Sequence, residues 1–444
     1  EAAVRPLVAS EGTSVREVLF PLEWIDDDSG DPEPLAEESS GDPDAPALLQ
    51  HSSGTTGLQK AVVLTHRAVL DHVARYAESI ALGPADKVAS WLPLYHDMGL
   101  IAAFHLPLAA GVTTVQLDPF QWIAAPFILF DAMASEKATL AWLPNFAYNL
   151  TADRVSDEDL EGLSLDHVRL LVNCSEPVRA DSHAKLAERF AAFGLREESL
   201  SACYAMAETT FAVTQTKPGA RAREVSLSRE ALTRRLVRPA TGGETVRVCV
   251  SSGAPIRGCE VRIADEDGRA RGEEAVGEVW IRSESMFDGY RNDPEKTTEA
   301  LADGWYKSGD LGFVLSGELF VVGRMKDTII VAGKNLYPED IEDAVSPVPG
   351  VIPGRVVAFG IEDVANGTES VCVVAETETA ASGHASLRIA IQRAGMAIDV
   401  TVADVRFAPA RWLVKSSSGK LSRKANKERV LAGELSADSI TRNS

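Results

Sequence analysis

The sequence has few cysteines, a deficit of basic residues and no long uninterrupted apolar run. Its five cysteines among 444 residues form no Cys-x-x-Cys pair, so we expect neither a disulfide framework nor structural zinc, and we expect a cytoplasmic protein. Only 44 Lys and Arg stand against 65 Asp and Glu, and the net charge of −21 argues against a nucleic-acid partner. The longest apolar stretch, 100–117, contains His105, Pro107 and Gly111, which indicates a buried core segment and no membrane span.

What is present is the composition of a globular protein, with 45% hydrophobic and 25% charged residues. At roughly 100–200 residues per domain, the length predicts two to four domains or subdomains. Residues 23–44 hold ten acids and no base, interrupted by proline and glycine. We therefore predict that 1–44 is an acidic linker and the remnant of a truncated N-terminal region, with an acidic docking tail as the alternative.

From residue 45 onward, short apolar runs alternate with longer amphipathic ones, which predicts an α/β (α+β layered) fold. We expect a large domain over 45–324, built of mixed sheets and helices with a β-rich subdomain between 245 and 325. A small C-terminal α+β domain is expected over 325–444, where 14 bases nearly balance 15 acids. The predicted strands are 47–50, 61–65, 170–173 and 276–282, and the predicted helices are 66–81, 126–136, 180–193 and 383–395.

Five segments are candidates for chemistry. The first runs from Ser52 to Lys60 (SSGTTGLQK), and its two glycines, hydroxyls and lysine form a phosphate cradle in physical terms, or else a polar hairpin. The second, 91–99 (WLPLYHDMG), holds a His-Asp pair that can titrate or simply be structural. The third, 204–210 (YAMAETT), offers an aromatic to stack on a base and a carboxylate for Mg²⁺, or a strand-to-helix capping sequence.

The fourth segment is Ser308-Gly309-Asp310, followed by Gly323-Arg324. Its aspartate can accept from both ribose hydroxyls, although the same tripeptide also occurs in ordinary turns. The fifth is Lys415-Ser-Ser-Ser-Gly-Lys420, within a stretch of seven bases that would by itself be a solvated basic face.

Together the five segments resemble the core motifs of the adenylate-forming superfamily of acyl-CoA synthetases, adenylation domains and luciferases, in the same order, over about residues 45–430. The chain is most similar to fatty acyl-AMP ligases in 91–99, 144–148 (PNFAY) and 173–178 (NCSEPV). The resemblance implies that ATP and a hydrophobic, fatty or related aliphatic carboxylic acid give acyl-AMP. A thiol of CoA or of a carrier protein's phosphopantetheine arm then takes the acyl group.

The resemblance also implies residue roles. Lys420 would bridge the substrate carboxylate and the α-phosphate, His96 would lie near that carboxylate, and Glu208 would ligate Mg²⁺. Thr209 would bind the α-phosphate, and Lys326 would be the hinge of the small domain. The remaining nucleotide contacts would be Ser53, Gly54, Thr55, Thr56 and Lys60 for phosphate, Tyr204, Ser175, Glu176 and Pro177 for adenine, Asp310 for ribose, and Arg324 for ribose or phosphate. The resemblance identifies 45–324 as a large adenylation domain for ATP and the acyl substrate, and 325–444 as a small mobile lid domain that carries the catalytic lysine. The acyl pocket would include Trp91, Trp142, Phe146, Ala205 and Met206.

Three features depart from the family pattern. Only 51 residues precede the phosphate loop, so we expect the first elements of the N-terminal subdomain to lie outside this chain. No room is visible for the insertion that fatty acyl-AMP ligases carry ahead of Asp310. Ala205 replaces a usual glycine, and its methyl group would shorten or bend the acyl tunnel or pack without consequence.

Three other functions remain open at this stage. An acyl-CoA ligase would share the first step, and a catalytically impaired nucleotide-binding relative would share only the fold. An amino-acid adenylation domain is disfavoured, because no aspartate motif for an α-amino group accompanies His96-Asp97.

Overall fold

The computed structural model of the chain describes residues 41–51, 60–363, 367–415 and 420–435. Residues 46–444 belong to one compact unit, and 1–45 to another. In the second, the described residues form a turn in which the Ala45 amide donates to the Asp42 carbonyl (2.9 Å). The rest of the predicted acidic linker, and the predicted phosphate contacts Ser53, Gly54, Thr55 and Thr56, lie outside the described residues.

Helices and strands alternate along the chain, as the apolar pattern predicts. The α-helices are α1 (His66–Ser79), α2 (Leu106–Ala110), α3 (Pro119–Ala124), α4 (Ile128–Glu136), α5 (Asn145–Arg154), α6 (Ala180–Phe190), α7 (Arg229–Thr233), α8 (Pro294–Ala300), α9 (Pro338–Val345), α10 (His384–Met396) and α11 (Arg423–Leu431). A π-helix, Met98–His105, precedes α2, and short 3₁₀ turns include Ala207–Thr209 and Met325–Asp327.

The strands fall into two runs. Those of the first half are β1 (Pro46–His51), β2 (Ala61–Thr65), β3 (Lys87–Ser90), β4 (Thr113–Gln116), β5 (Leu140–Leu143), β6 (Leu170–Asn173), β7 (Leu200–Ala205), β8 (Ala212–Gln215), β9 (Glu224–Ser228), β10 (Val246–Val250) and β11 (Ala254–Pro255). The others are β12 (Cys259–Ala264), β13 (Gly277–Ser283), β14 (Gly289–Tyr290), β15 (Leu301–Ala302), β16 (Trp305–Leu315), β17 (Glu318–Arg324), β18 (Ile329–Val331), β19 (Lys334–Leu336), β20 (Val356–Asp363), β21 (Thr368–Glu376) and β22 (Val402–Ala408).

The central sheet has seven strands in the order β11-β8-β7-β6-β5-β3-β4. Strands β3 to β7 are parallel, and β8 and β11 add antiparallel edges. All four residues of β5 and all four of β6 are buried, the continuous apolar pattern of parallel strands covered on both faces. Because the strands are parallel, their carboxyl ends meet at one edge, where ligands of open α/β sheets bind.

Smaller sheets complete the fold. The β-rich part predicted between 245 and 325 is the antiparallel sheet β12-β13-β16-β15, to which β17 adds through β16. After residue 325, β20, β21 and β22 form a separate sheet, and its core cluster, from Ile329 to Val405, is distinct from the main cluster of Val62 to Leu319. The mixed α/β fold class is as predicted, while the domain boundary at 324/325 stays a prediction.

Helix α1 illustrates how local sequence sets an element. The hydroxyl of Thr65 accepts from the Ala68 amide (3.1 Å) and caps the helix, whose apolar face buries Val69, Val73 and Tyr76. The helix ends at Ser79, two residues before the predicted end, and Ala81 follows with φ of +49°. Within the described ranges, no helix is long and apolar enough to cross a bilayer.

Candidate active site

The predicted site residues lie largely in the segments that follow the carboxyl ends of the central strands. Ser175, Glu176 and Pro177 follow β6, Phe146 begins α5 just after β5, and Tyr204 lies at the end of β7. A hydrogen bond ties two of these segments together, because the Phe146 amide donates to Oε2 of Glu176 (2.9 Å). The parallel order of the strands therefore brings together motifs that are far apart in sequence.

The predicted adenine and ribose contacts meet around one carboxylate. The Tyr204 hydroxyl donates to Oδ2 of Asp310 (2.6 Å), and Nε of Arg324 donates to Oδ1 (2.9 Å). Strands β16 and β17 pair Asp310 with Arg324, which fixes the second contact. Burial and the neighbouring Asp310 carboxylate hold the pKa of Tyr204 well above its usual value, so its hydroxyl stays a donor.

Glu208 and Thr209 occupy the 3₁₀ turn after β7. The Tyr290 hydroxyl donates to Oε1 of Glu208 (2.8 Å), and the ammonium of Lys60 lies 4.3 Å from the centre of the Tyr290 ring. The hydroxyl of Thr209 is buried and donates to the carbonyls of Met206 (3.1 Å) and Phe211 (2.9 Å). Thr209 therefore contacts its own turn in this structure, and its contact with phosphate stays a prediction.

His96 and Asp97 contact each other through their side chains ahead of the π-helix. Nδ1 of His96 lies 2.7 Å from Oδ1 of Asp97, which also accepts from the Met98 amide (2.7 Å). Burial raises the pKa of Asp97, but contacts with His96, the Met98 amide and Lys420 lower it by more. The pKa of Asp97 therefore lies below its usual value. The turn needs Gly99, where a Cβ would meet the Pro93 carbonyl oxygen at 2.4 Å.

Lys420 reaches this group from the C-terminal part of the chain. Its ammonium donates to the carbonyl of Ser175, which is held at φ of +70°. Burial lowers the pKa of Lys420 below its usual value, although the Glu176 and Asp97 carboxylates counteract the effect. The structure thus brings the predicted catalytic lysine to the predicted adenine segment, across 245 residues of sequence. The predicted hinge, Lys326, lies in the 3₁₀ turn that follows β17.

An aromatic cluster adjoins these loops. The rings of Trp91 and Trp122 stack with centroids 3.7 Å apart and planes 3° from parallel, and Phe146 packs edge-on against both at 6.3 Å. Trp91 and Trp122 are buried, whereas Phe146 is 39% exposed. Two of the predicted acyl-pocket residues therefore meet here. Ala205 and Met206 are partly buried against the main core.

Trp142 does not join the aromatic cluster. Its indole Nε1 donates to the Tyr76 hydroxyl of α1 (2.8 Å), and the side chain is buried in the core. Because side chains alternate along a strand, Trp142 and Ala141 face opposite sides of the sheet. Sequence reasoning missed Trp122 and Tyr290. Trp122 belongs to a short helix capped by Asp118, and nothing in that local pattern indicates a contact with Trp91.

Comparison with known proteins identifies the family. Residues 4–291 match the AMP-binding enzyme family. The 4-hydroxyphenylalkanoate adenylyltransferase of Mycobacterium tuberculosis is 33% identical over 415 residues, which are 88% of this chain and 66% of that protein. The medium-chain-fatty-acid–[acyl-carrier-protein] ligase JamA of Moorena producens is 32% identical, over 88% of this chain and 69% of that protein.

A solved structure from work on fatty acyl-adenylate ligases of E. coli and L. pneumophila superposes with a TM-score of 0.83, at 29% identity, over 88% of this chain and 71% of that one. The chain belongs to the AMP-binding enzyme family, the class of adenylate-forming ligases. The predicted family and fold class are thereby confirmed. The chain spans about two thirds of the length of the mycobacterial relative (66%).

Proposed function

We propose that this chain activates a hydrophobic carboxylic acid with ATP, forming acyl-AMP and pyrophosphate, and passes the acyl group to a phosphopantetheine thiol of a carrier protein. The observation that carries the proposal is the contact of the Lys420 ammonium with the Ser175 carbonyl, near the charges of Glu176, Asp97 and Arg324. A cation at that point faces the chemical problem of the first step, which is bringing an anionic carboxylate against an anionic phosphate.

In the adenylation step, Lys420 compensates the charge that accumulates between the carboxylate and the α-phosphate. The Asp310 carboxylate binds the ribose hydroxyls, Tyr204 stacks on the base, and His96 lies near the substrate carboxylate. Glu208 suits Mg²⁺, because a carboxylate with only one oxygen engaged by Tyr290 offers the hard oxygen ligand that this ion prefers. Bound there with ATP, Mg²⁺ would neutralise phosphate charge.

The test compares two lysines of the same segment. Lys420→Ala should lower ATP–pyrophosphate exchange about 10²–10³-fold, the usual effect of removing one electrostatic contact to a transition state. It should leave transfer from supplied acyl-AMP to a thiol intact, since that step needs no carboxylate activation. The matched control is Lys424→Ala, because Lys424 is 53% exposed and faces Glu428. Exchange that survives in Lys420→Ala, or an equal loss of both steps, contradicts the role of Lys420, and a folded wild type without exchange contradicts the proposed function.

The acid itself is best found with a panel. The aromatic cluster of Trp91, Trp122 and Phe146 supports an apolar acyl group. Pyrophosphate release measured with straight-chain fatty acids of increasing length and with arylalkanoic acids should show one preferred series. Release with none of these acids, with a folded protein, would favour the impaired nucleotide-binding relative.

A second candidate function, acyl-CoA formation, is favoured by the segment before Asp310. Helix α8 ends at Ala300, and β15 turns directly into β16 through Asp303 and Gly304, both with positive φ. The hairpin leaves no insertion of the kind that hinders CoA in fatty acyl-AMP ligases. Mass spectrometry of the products formed with CoA and with a phosphopantetheinylated carrier protein, in parallel reactions, separates the two acceptors.

A further inference from the structure

Helix α9 carries four carboxylates in eight residues, and Asp340 is the one that is most enclosed by arginines. Nη1 of Arg229 lies 2.7 Å from Oδ2 of Asp340, Nε of Arg247 lies 3.1 Å from Oδ1, and Nη1 of Arg179 lies 3.9 Å from Oδ1. The Asp340 side chain is only 9% exposed and that of Arg247 only 7%. These are enclosed ion pairs, which salt screens poorly.

The three arginines come from three different segments of the part before Lys326. Arg179 precedes α6, three residues after Glu176, Arg229 begins α7, and Arg247 lies on β10. Arg179 also pairs with Asp343, one turn along α9 from Asp340 (2.8 Å). Asp340 therefore fastens the helix that follows the predicted hinge to three separate segments that precede it.

Two further contacts reinforce this attachment. The Arg247 guanidinium lies 4.8 Å from the centre of the Tyr337 ring, and its Nη2 donates to the Val322 carbonyl (2.7 Å). Asn335, just before α9, donates to the Thr233 carbonyl at the end of α7 (2.9 Å). Arg247 is thus oriented toward the Asp340 carboxylate by its contacts with Tyr337 and Val322.

The same helix holds the lysine segment from its other side. Arg423, three residues after Lys420, binds Glu342 through two hydrogen bonds (2.8 and 2.6 Å) and also Glu339 (2.7 Å). A third partner is Asp327 (3.0 Å), next to the predicted hinge. A continuous set of contacts therefore runs from the arginines through α9 to the segment that carries Lys420.

We propose that Asp340 is a positioning residue of the adenylation step, whose pairing with Arg179, Arg229 and Arg247 holds the C-terminal part in the orientation that keeps Lys420 at Ser175. This inference rests on the proposed function, because it assumes that Lys420 acts in acyl-AMP formation. Rotation at Lys326 toward a thioester-forming orientation must separate Asp340 from these arginines. The separation is unfavourable because it leaves buried charges without their counter-charges.

The test is Asp340→Asn in the full chain, which keeps the shape and removes the charge. With the panel acid that gives the fastest exchange, ATP–pyrophosphate exchange should fall at least tenfold. Transfer of the same acyl group from supplied acyl-AMP to CoA or to a phosphopantetheinylated carrier should stay within twofold of the wild type or rise. Asp340→Glu should recover part of the exchange, since it restores the charge.

The matched control is Asp86→Asn. Asp86 is as enclosed as Asp340 (8% exposed) and pairs with Arg169 at 2.7 Å, but both residues lie within the part before Lys326. Loss of the Asp86 charge should lower the stability of the protein without changing the ratio of the rate of ATP–pyrophosphate exchange to the rate of acyl transfer. Equal loss of both steps in Asp340→Asn, or a ratio that Asp86→Asn changes as much, would overturn the inference.

A conformational measurement separates this inference from the proposed function. Spin labels at the exposed positions Leu70 on α1 and Met396 on α10 report the distance between the two parts. Asp340→Asn should broaden the distance distribution, and Asp86→Asn should leave it unchanged. A distribution that Asp340→Asn leaves at the wild-type width refutes the inference even if Lys420→Ala abolishes exchange. A folded wild-type protein that shows no exchange with any acid of the panel refutes the proposed function whatever the distances show.

Discussion

The stacked tryptophans yield a prediction that links stability to substrate choice. Trp122 is fully buried, stacks on Trp91 at 3.7 Å and receives the edge of Phe146 at 6.3 Å. Truncation of a fully buried tryptophan to alanine costs about 3–5 kcal/mol. Trp122→Phe keeps an aromatic ring against Trp91 and should cost less than this range, because only one of the two fused rings of the indole is removed.

The two variants should also differ from the wild type in their choice of acid. If the cluster lines the acyl pocket, Trp122→Ala opens space beside the half-exposed Phe146, and the preferred acid in the panel should become longer or bulkier. Urea unfolding gives the stability, and pyrophosphate release across the panel gives the preference. Trp122→Phe guards against loss of folding in the alanine variant, because it should shift the preference in the same direction by a smaller amount.

Trp142 supplies the control for this experiment. It is as buried as Trp122, and its indole donates to the Tyr76 hydroxyl on α1 instead of stacking on Trp91. Trp142→Phe should therefore destabilise the protein and leave the order of preferred acids unchanged. An unchanged order in both Trp122 variants, or the same shift in Trp142→Phe, would show that the stack has only a structural role.

Two more predictions concern the nucleotide side of the site. Burial lowers the pKa of Lys420, and only the protonated lysine can compensate anionic charge. ATP–pyrophosphate exchange should therefore fall as the pH rises through a value below the pKa of an ordinary lysine. Lys420→Arg should lose this alkaline decrease, and a pH profile that is unchanged in Lys420→Arg would assign the titration to another group. Asp310→Asn weakens the contacts with Tyr204 and Arg324 and the expected ribose contact, and should raise the KM for ATP about 10- to 100-fold, since hydrogen bonds to charged groups contribute about 1.5–3 kcal/mol. An effect on kcat alone, measured by varying ATP, would contradict the role in ribose binding.

The sequence predicts the central elements well because their signals are local. The run at 61–65 is a strand with the predicted bounds, and the run at 170–173 is another, since short buried apolar runs leave few alternatives. The site residues are predictable through the resemblance of their motifs to a known family. Two of them, Tyr204 and Asp310, are 106 residues apart and form a hydrogen bond.

The missed residues are those whose partners are set by packing between distant segments. Asp340 and Arg229 are 111 residues apart, and neither stands in a pattern that names the other. The C-terminal part has nearly equal numbers of acids and bases, and this total does not indicate that α9 is acidic. It also does not indicate that Arg423 pairs with three nearby carboxylates. A count of charges gives the net value of a segment, whereas the structure gives the pairing.

The lowered pKa of Lys420 and the arginines around Asp340 belong to one energetic problem. Bringing the Lys420 ammonium out of water to the Ser175 carbonyl is unfavourable, as the effect of burial on its pKa shows. On the proposed function, the pairs of Asp340 and Arg423 add stabilisation of the docked orientation to what Glu176 and Asp97 supply at the lysine itself. Asp340 would act at a distance from the reacting atoms, so that ATP and the acid meet a cation already in place. The proposed rotation after acyl-AMP formation would open the same enclosed pairs before a thiol reaches the acyl group, and the strength of this attachment should set the balance between the two steps.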